Sequence, residues 1–280
     1  MKISMIMRRH PPSRKSPIVP EVVRLLRQWG YVVDVFTPEE QMVELSRLGV
    51  DHDLYVLKSG SDLALSVAGA LEGAGATVLN SHRVSAILRD KIVATSVLVA
   101  SGIPVPESFV GGNTEALLSY LEEGPLVVKP YRGSQGVGVT VVTSPEDLGA
   151  VDHGGDPLFA QRYHRPDGLD HKVYSIGGTL FGVARPWPAT TYRDKLGTPF
   201  TMSCELRDLA KACGEAFGID VFGIDVVYSR GEPFVVDMSV FPGFKGVPDA
   251  ALRLADYIYD AARISRRSDT SLVPITGGSS

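Results

Sequence analysis

The sequence predicts an α/β fold that is α+β in parts, and three features of the chain support this class. Short β-branched segments alternate with amphipathic helical segments over residues 2–79, which is typical of a parallel sheet. Later segments, over residues 158–238, are rich in strands joined by short turns, which indicates antiparallel pairing. The 280 residues are 44% hydrophobic, which is enough for more than one core.

Composition and charge argue against several classes of protein. The net charge is −4, so a protein that coats nucleic acid or binds membrane surfaces is not expected. Cys204 and Cys213 are the two cysteines, too few for a disulfide framework, which favours a reducing compartment. No apolar run approaches the roughly 18 residues of a spanning helix. We therefore expect a cytoplasmic protein without nucleic-acid or membrane partners.

The first part of the chain predicts a small parallel sheet with a basic loop at its ligand-binding edge. A first strand at residues 2–7 leads directly into Arg8 and Arg9. Because ligands bind at the carboxyl ends of parallel strands, these arginines are candidates for contact with an anionic substrate. A solvated surface loop is the alternative interpretation.

We expect the chain to divide into four segments. Composition and predicted elements place an N-terminal parallel α/β unit at residues 1–82, and a central lid unit at 83–155. A strand-rich C-terminal unit follows at 156–265. The polar end of the chain, residues 266–280, predicts a loose tail.

A glycine-rich hairpin at residues 126–142 is the first functional signal. Gly133, Gly136 and Gly138 lie between two β-branched runs, and such a loop can present backbone N–H groups to phosphate oxygens. Lys129 ends the first run, beside the expected phosphate position. A glycine-rich hairpin with an exposed lysine is the alternative.

Two aspartates inside apolar runs are the second signal. Asp225 and Asp237 lie in strands joined by a tight turn, so we expect them side by side. Buried carboxylates are costly unless they are paired or bind a metal, and hard oxygen ligands favour Mg²⁺. Ser239 points to the same sheet face and is a weak further ligand. The alternative is that both aspartates cap turns.

A phosphate loop, a second lysine at Lys91 and a carboxylate metal site together describe a nucleoside triphosphate site. Their combination and order resemble the ATP-grasp superfamily, of the ribosomal-protein glutamate ligase type. The resemblance covers nearly the whole chain. It implies an ATP-grasp fold preceded by a Rossmann-like pre-ATP-grasp subdomain. It rests on residues 80–81, 89–91, 102–106, 129–139, 161–163 and 170–178 and on the two aspartates.

The resemblance implies a role for each matching residue. Adenine would be held mainly by the backbone of Gln161, Arg162 and Tyr163, with Asp170 in the ribose region. Mg²⁺, with Mn²⁺ as the alternative, would be bound by Asp225, Asp237 and Ser239. Arg185 and Lys172 would be the catalytic residues, with Arg185 facing the γ-phosphate or an acyl-phosphate oxyanion. ATP phosphates would be contacted by Lys91, Lys129, Ser134, Gln135, Gly136, Val137 and Gly138.

The sequence departs from this family at three positions. Arg162 stands where the family commonly has glutamate, which puts the ribose or adenine contacts in doubt. Asp237 and Ser239 stand where it commonly has glutamate and asparagine. Serine is a poorer metal ligand than an amide oxygen, so a weak second metal site is expected.

The resemblance implies a carboxylate–amine ligase. ATP would phosphorylate the carboxylate of an amino acid or peptide-like substrate, and an amine would attack the acyl-phosphate; Arg8, Arg9 and Lys245 would contact substrate. Residues 237–247 also resemble inositol trisphosphate kinases, which share this fold, so a phosphotransferase is the alternative. An ATP-binding protein without turnover is a third hypothesis, and a homo-oligomer is expected by analogy.

Overall fold

The structure is a computed structural model that describes residues 1–8, 17–133, 136–187 and 191–270, apart from the side chains of Tyr192 and residues 266–270. The chain forms two compact units: Met1–Ser85 together with Asp249–Ser280, and Ala86–Pro248. No helix in the described ranges has both the length and the apolar character that crossing a bilayer requires.

The first unit contains the predicted parallel sheet. Its strand order is β2-β1-β3-β4, and each neighbouring pair is parallel. The helices α1 and α2 follow β1 and β3, and the Ser61 hydroxyl caps α2 by accepting from the Ala64 N–H. The elements are β1 (Lys2–Ile6), α1 (Ile18–Gln28), β2 (Val32–Phe36), short 3₁₀ turns at Pro38–Glu40 and Leu45–Arg47, β3 (Leu54–Leu57), α2 (Asp62–Gly73) and β4 (Val78–Leu79).

The last helix of this unit is longer than the sequence predicted. Helix α9 runs from Ala250 to Thr270 and enters the segment predicted as a loose tail; residues 271–280 lie outside the described residues. Buried positions recur along it at Leu254, Ile258, Ala262 and Ser265, and Ser265 Oγ donates to Thr77 Oγ1 at 2.8 Å. The buried face of α9 therefore extends as far as Ser265, beyond the buried side chain of Ile258.

Two short helices, separated by a break, follow β4 in the chain. They are α3 (His82–Arg89) and α4 (Lys91–Ala100). Asp90 separates them because its carboxylate accepts from the Ile92 and Val93 N–H groups and so caps α4. This cap fixes the backbone position of Lys91, the first residue of α4.

The second unit begins with a four-stranded antiparallel sheet of order β5-β8-β6-β7. The predicted boundary near residue 155 falls within this sheet, since β8 pairs with both β5 and β6. Leu126, Val142 and Leu158 are among the residues of its core. The elements are β5 (Ser108–Gly111), a 3₁₀ turn at Glu115–Leu117, α5 (Leu118–Glu122), β6 (Leu126–Pro130), β7 (Thr140–Val142), α6 (Pro145–Gly149) and β8 (Leu158–Arg162).

A five-stranded antiparallel sheet of order β11-β10-β9-β12-β13 completes this unit. The buried face of α8 includes Leu206, Leu209, Ala210, Cys213 and Phe217, at the three- and four-residue spacing of an amphipathic helix. Burial raises the pKa of Cys213 to about 12, as expected for a core thiol. The elements are β9 (Leu169–Ile176), β10 (Thr179–Pro186), α7 (Tyr192–Leu196), β11 (Thr198–Phe200), α8 (Cys204–Phe217), β12 (Phe222–Ser229) and β13 (Glu232–Val240).

Candidate active site

Two carboxylates lie side by side in the five-stranded sheet. The tight turn between β12 and β13 sets the register so that Asp225 is directly opposite Asp237, as the sequence predicted. A bulge follows Asp225, because Val226 is opposite Val235 and leaves Val236 as an extra residue. Directly opposed side chains on neighbouring strands lie within contact distance, so the two carboxylates share one face of the sheet.

Each of these carboxylates is paired with a lysine. Lys172, opposite Asp225 on β9, places its Nζ 2.5 Å from Asp225 Oδ1. Lys91 places its Nζ 2.5 Å from Asp237 Oδ1. Burial is the largest single influence and disfavours the charged form of Lys172, but the Asp225 carboxylate and Tyr174 together raise the pKa of this lysine above its ordinary value. The lysines therefore supply the counter-charge that two adjacent carboxylates require.

The acid pair fits a metal ion that arrives with phosphates. Asp225 Oδ1 is buried and accepts no well-aligned hydrogen bond from the described residues. Within the described ranges no cluster of three or more Asp, Glu, His or Cys residues is able to hold a metal by itself. Mg²⁺ typically takes one or two carboxylates plus substrate phosphate oxygens. Ser239 is opposite Gly223 and its Oγ lies 3.4 Å from the Gly223 carbonyl oxygen.

Lys129 is held at this site by a chain of hydrogen bonds. Its Nζ donates to Gln161 Oε1 at 2.6 Å and to the carbonyl oxygen of the bulged Val236 at 2.9 Å. Gln161 Nε2 donates in turn to Ser108 Oγ at 3.0 Å. Burial lowers the pKa of Lys129 to about 8. The Gln161 side chain thus positions a lysine, a role beyond the predicted backbone contact with adenine.

The glycine-rich loop lies beside Lys129, although Ser134 and Gln135 are outside the described residues. Gly136 and Gly138 have φ values of 73° and 74°, which favour glycine. A Cβ at Gly138 would lie 2.8 Å from Pro130 Cγ, so the loop packs tightly on the end of β6. Val137, at its tip, is 67% exposed.

The base of this loop is attached to the residues that carry Lys91. The Lys91 N–H donates to the Tyr131 carbonyl at 2.8 Å, and the Arg89 guanidinium donates to the Arg132 carbonyl. The predicted phosphate loop, Lys91 and Lys129 are therefore brought to one place by the structure.

A buried arginine and a carboxylate continue the same face of the sheet. Asp170 on β9 is opposite Arg185 on β10, and side chains two apart on a strand share a face, so Asp170, Lys172 and Tyr174 lie together. Burial and the nearby Asp225 raise the pKa of Asp170 to about 6. Arg185 donates through Nη2 to Tyr174 Oη at 2.7 Å.

Arg185 keeps unused donor capacity in this position. It is only 9% exposed, and its Nε has no hydrogen-bond partner among the described residues. A guanidinium buried in this way is suited to phosphate or carboxylate oxygens.

The Arg162 side chain contacts other parts of the protein, which leaves only its backbone for the predicted contact with adenine. Its Nη1 donates to the carbonyls of Tyr120 and Gly124, each at 2.8 Å, and its Nη2 lies 3.0 Å from Glu123 Oε2. Successive strand residues face opposite sides, so Gln161 faces Lys129 while Arg162 faces the end of α5. Tyr163, which is half-buried, donates its N–H to the Pro125 carbonyl at 2.9 Å.

The predicted substrate residues are not all placed by the structure. Arg8 is exposed and belongs to the first compact unit, and Arg9 lies outside the described residues. Lys245 is half-buried, and its pKa is lowered by burial and by the charges of Arg185, Lys195 and Lys172. The next residue, Gly246, packs on Val183 of β10, which places Lys245 at the β10 end of the site.

Three residues of the site were missed from the sequence. Tyr174 shares a strand face with Lys172, and the period-two alternation of β9 is the signal that could have indicated it. Ser108 and Lys195 carry no such signal, because they reach the site through pairing and packing between distant segments.

Comparison with known proteins identifies the family. The model of the RimK-like ATP-grasp domain matches residues 88–260. The chain belongs to the RimK-like ATP-grasp family. It is 26% identical over 239 residues to a probable alpha-L-glutamate ligase of Haemophilus influenzae, covering 78% of this chain and 79% of that protein. It is 31% identical over 218 residues to the glutamate–LysW ligase ArgX of Sulfurisphaera tokodaii, covering 70% and 77%.

Solved structures show the same fold. A RimK domain ATP-grasp protein from Sphaerobacter thermophilus superposes with a TM-score of 0.73 at 19% identity, over 92% of this chain and 100% of that one. The D-alanine–D-alanine ligase of Bacillus anthracis in complex with ATP gives a TM-score of 0.72 at 20% identity, over 96% and 99%.

The predicted fold and enzyme class are confirmed at the level of the family. The protein is an ATP-dependent carboxylate–amine ligase of the ATP-grasp type. The comparisons give no support to the inositol phosphate kinase alternative.

The contacts of the Arg162 side chain predict a structural role for it. We expect Arg162→Met to lower the free energy of unfolding by about 2 kcal/mol, since two carbonyls lose a charged donor and the Glu123 carboxylate loses its partner, while the ATP dissociation constant changes less than about twofold. Urea unfolding and calorimetric ATP titration measure the two quantities. Arg207→Met, at an exposed arginine of α8, is the control. A large loss of ATP affinity with an unchanged free energy of unfolding would instead indicate that the Arg162 side chain contacts the nucleotide.

Proposed function

We propose that this RimK-like ligase carries out a Mg²⁺-dependent reaction on the face of the five-stranded sheet that bears Asp225 and Asp237. The observation that carries the proposal is their direct opposition in register, with Lys172 and Lys91 each 2.5 Å from one carboxylate oxygen. Paired carboxylates next to several cations suit a metal–triphosphate complex.

Lys91 and Lys129 hold the ATP phosphates in this proposal. Both ammonium groups already lie at the edge of the acid pair, bonded to Asp237 and to the Val236 carbonyl. Phosphate oxygens replace these internal partners when ATP binds, so little reorganisation is needed. The glycine-rich loop covers the phosphates and excludes water. A bound Mg²⁺ would supply charge neutralisation at the phosphate oxygens, with Asp225 and Asp237 as its protein ligands.

Arg185 and Lys172 stabilise the negative charge that moves during the reaction. A carboxylate oxygen of the substrate attacks the γ-phosphorus, the bond to the β–γ bridging oxygen breaks, and ADP leaves. The amine then attacks the carbonyl carbon of the acyl-phosphate, and inorganic phosphate departs as the C–N bond forms and the amine loses a proton. Buried cations aimed at these oxygens lower the barrier by electrostatic stabilisation, so no nucleophilic side chain is required.

The substrates are an amino acid or peptide carboxylate and an amino-acid amine. This class is supported by the names of the relatives, a probable alpha-L-glutamate ligase and a glutamate–LysW ligase. Contacts of Arg8 and Arg9 with substrate, a cytoplasmic location and a homo-oligomer stay predictions.

The site assignment predicts loss of turnover without loss of the fold. We expect Lys129→Met and Asp237→Asn each to lower kcat/KM for Mg-ATP at least about a hundredfold, because the first removes a cation aimed at the phosphates and the second removes a charged ligand of the metal. Circular dichroism should show a native fold. Lys211→Gln, at a lysine that is 55% exposed on α8, should retain full activity. Normal turnover in both site variants would refute the assignment.

The reaction class predicts a product pattern. We expect ADP and inorganic phosphate in equal amounts, and only when a carboxylate and an amine are both present, because the acyl-phosphate is consumed by the amine. Coupled assays that read ADP and phosphate separately, with panels of amino acids and short peptides, provide the measurement. ADP without phosphate would indicate transfer to a hydroxyl, and ATP binding without either product would indicate a protein without turnover.

A further inference from the structure

We propose that Ser108 is a positioning residue for ATP binding, because its hydroxyl determines which end of the Gln161 amide faces Lys129. This inference rests on the proposed function, in which Lys129 contacts the ATP phosphates, and deepens it by naming a residue that holds this lysine in place. Ser108 begins β5 and is directly opposite Gln161 of β8, so the two side chains lie on the same face of the four-stranded sheet.

The hydroxyl of Ser108 has a single proton, and the structure gives that proton a fixed acceptor. Ser108 Oγ lies 2.7 Å from the carbonyl oxygen of Pro106, and a carbonyl oxygen only accepts hydrogen bonds. The proton therefore points to Pro106, which is buried. Toward any other partner, Ser108 Oγ offers only lone pairs and acts as an acceptor.

This polarity orients the Gln161 amide, whose oxygen accepts and whose nitrogen donates. Gln161 Nε2 donates to Ser108 Oγ at 3.0 Å, which turns Oε1 toward the Nζ of Lys129, 2.6 Å away. In the reversed amide, Oε1 would face a lone pair of Ser108 and Nε2 would face the ammonium group, so both hydrogen bonds would be lost. Gln161 is only 3% exposed, so water offers little compensation for a lost partner.

Lys129 depends on the acceptor that this orientation supplies. Its ammonium group has three donors, and two of them are used by Gln161 Oε1 and by the Val236 carbonyl. When phosphate oxygens replace the Val236 carbonyl, Gln161 is the protein partner that remains. The amide therefore fixes the direction in which Lys129 presents its other donors to the phosphates.

The backbone around Ser108 is fixed to both strands that supply partners of the lysine. The Pro104 carbonyl accepts from the Val235 N–H, and the Glu107 carbonyl accepts from the Arg162 N–H, each at 2.8 Å. The segment that carries Ser108 is thus hydrogen-bonded to β13 on one side and to β8 on the other. The hydroxyl is held where it sets the amide orientation.

Calorimetric titration of the full chain with Mg-ATP, in the absence of amino-acid substrates, tests this role. Valine and threonine are nearly equal in shape and differ in the hydroxyl, so Ser108→Val and Ser108→Thr form a matched pair. We expect Ser108→Val and Ser108→Ala each to weaken ATP binding about fivefold, because the amide loses the acceptor that orients it. Ser108→Thr should bind ATP within about twofold of the wild type.

Ser101→Ala is the control for removal of a serine hydroxyl. Ser101 also donates to a backbone carbonyl, that of Val97 at 2.9 Å, but it is exposed at the end of α4. We expect this variant to bind ATP with the affinity of the wild type.

A double variant shows whether Ser108 acts through the lysine. We expect Ser108→Ala to have no further effect on ATP affinity in a Lys129→Met background, whereas a general structural effect would weaken binding by the same factor in both backgrounds. Unchanged affinity in Ser108→Ala, an equal loss in Ser108→Thr and Ser108→Val, or an equal loss in both backgrounds would overturn the role of Ser108. Failure of the proposed function would show separately, as unchanged ATP affinity in Lys129→Met alone.

Discussion

The site depends on the placement of two carboxylates directly opposite each other on a half-buried face of the five-stranded sheet. Asp225 and Asp237 are fixed there by the register of a tight hairpin, and like charges in such a place require compensation. Lys172 comes from the neighbouring strand and Lys91 from the capped start of α4. These two lysines balance the charge of the acid pair, and the base of the glycine-rich loop is hydrogen-bonded to the backbone of one of them, Lys91.

A second consequence is that the candidate site is held together by its own charges. Lys129 bridges the two sheets of the second unit, because its Nζ donates both to Gln161 and to the Val236 carbonyl. The carbonyl that accepts from Lys129 belongs to the bulged residue of β13. Charged groups that already point at the future position of the phosphates cost little reorganisation during reaction. A ligase that needs no nucleophilic side chain relies on this kind of preorganisation.

Features that depend on residues close together in the sequence could be predicted, whereas features that depend on pairing between segments far apart in the sequence could not. The opposition of Asp225 and Asp237 follows from turn length, and the buried face of α8 follows from helical periodicity. The direction of the Arg162 side chain depends on which face of β8 covers the core, and the pairing of β8 with β5 and β6 joins segments far apart in sequence. The position of Lys195 depends on the close packing of two glycines, Gly197 against the end of β10 and Gly246 against the end of α7.

Asp225 and Asp237 are proposed to bind a divalent cation together with ATP. This can be tested by measuring the ATP dissociation constant with Mg²⁺ and with EDTA, in the wild type and in an Asp225→Asn, Asp237→Asn double variant. We expect Mg²⁺ to tighten ATP binding at least about tenfold in the wild type, and most of this gain to be lost in the variant. An equal Mg²⁺ effect in both proteins would contradict this expectation, since the metal would then bind ATP without these carboxylates.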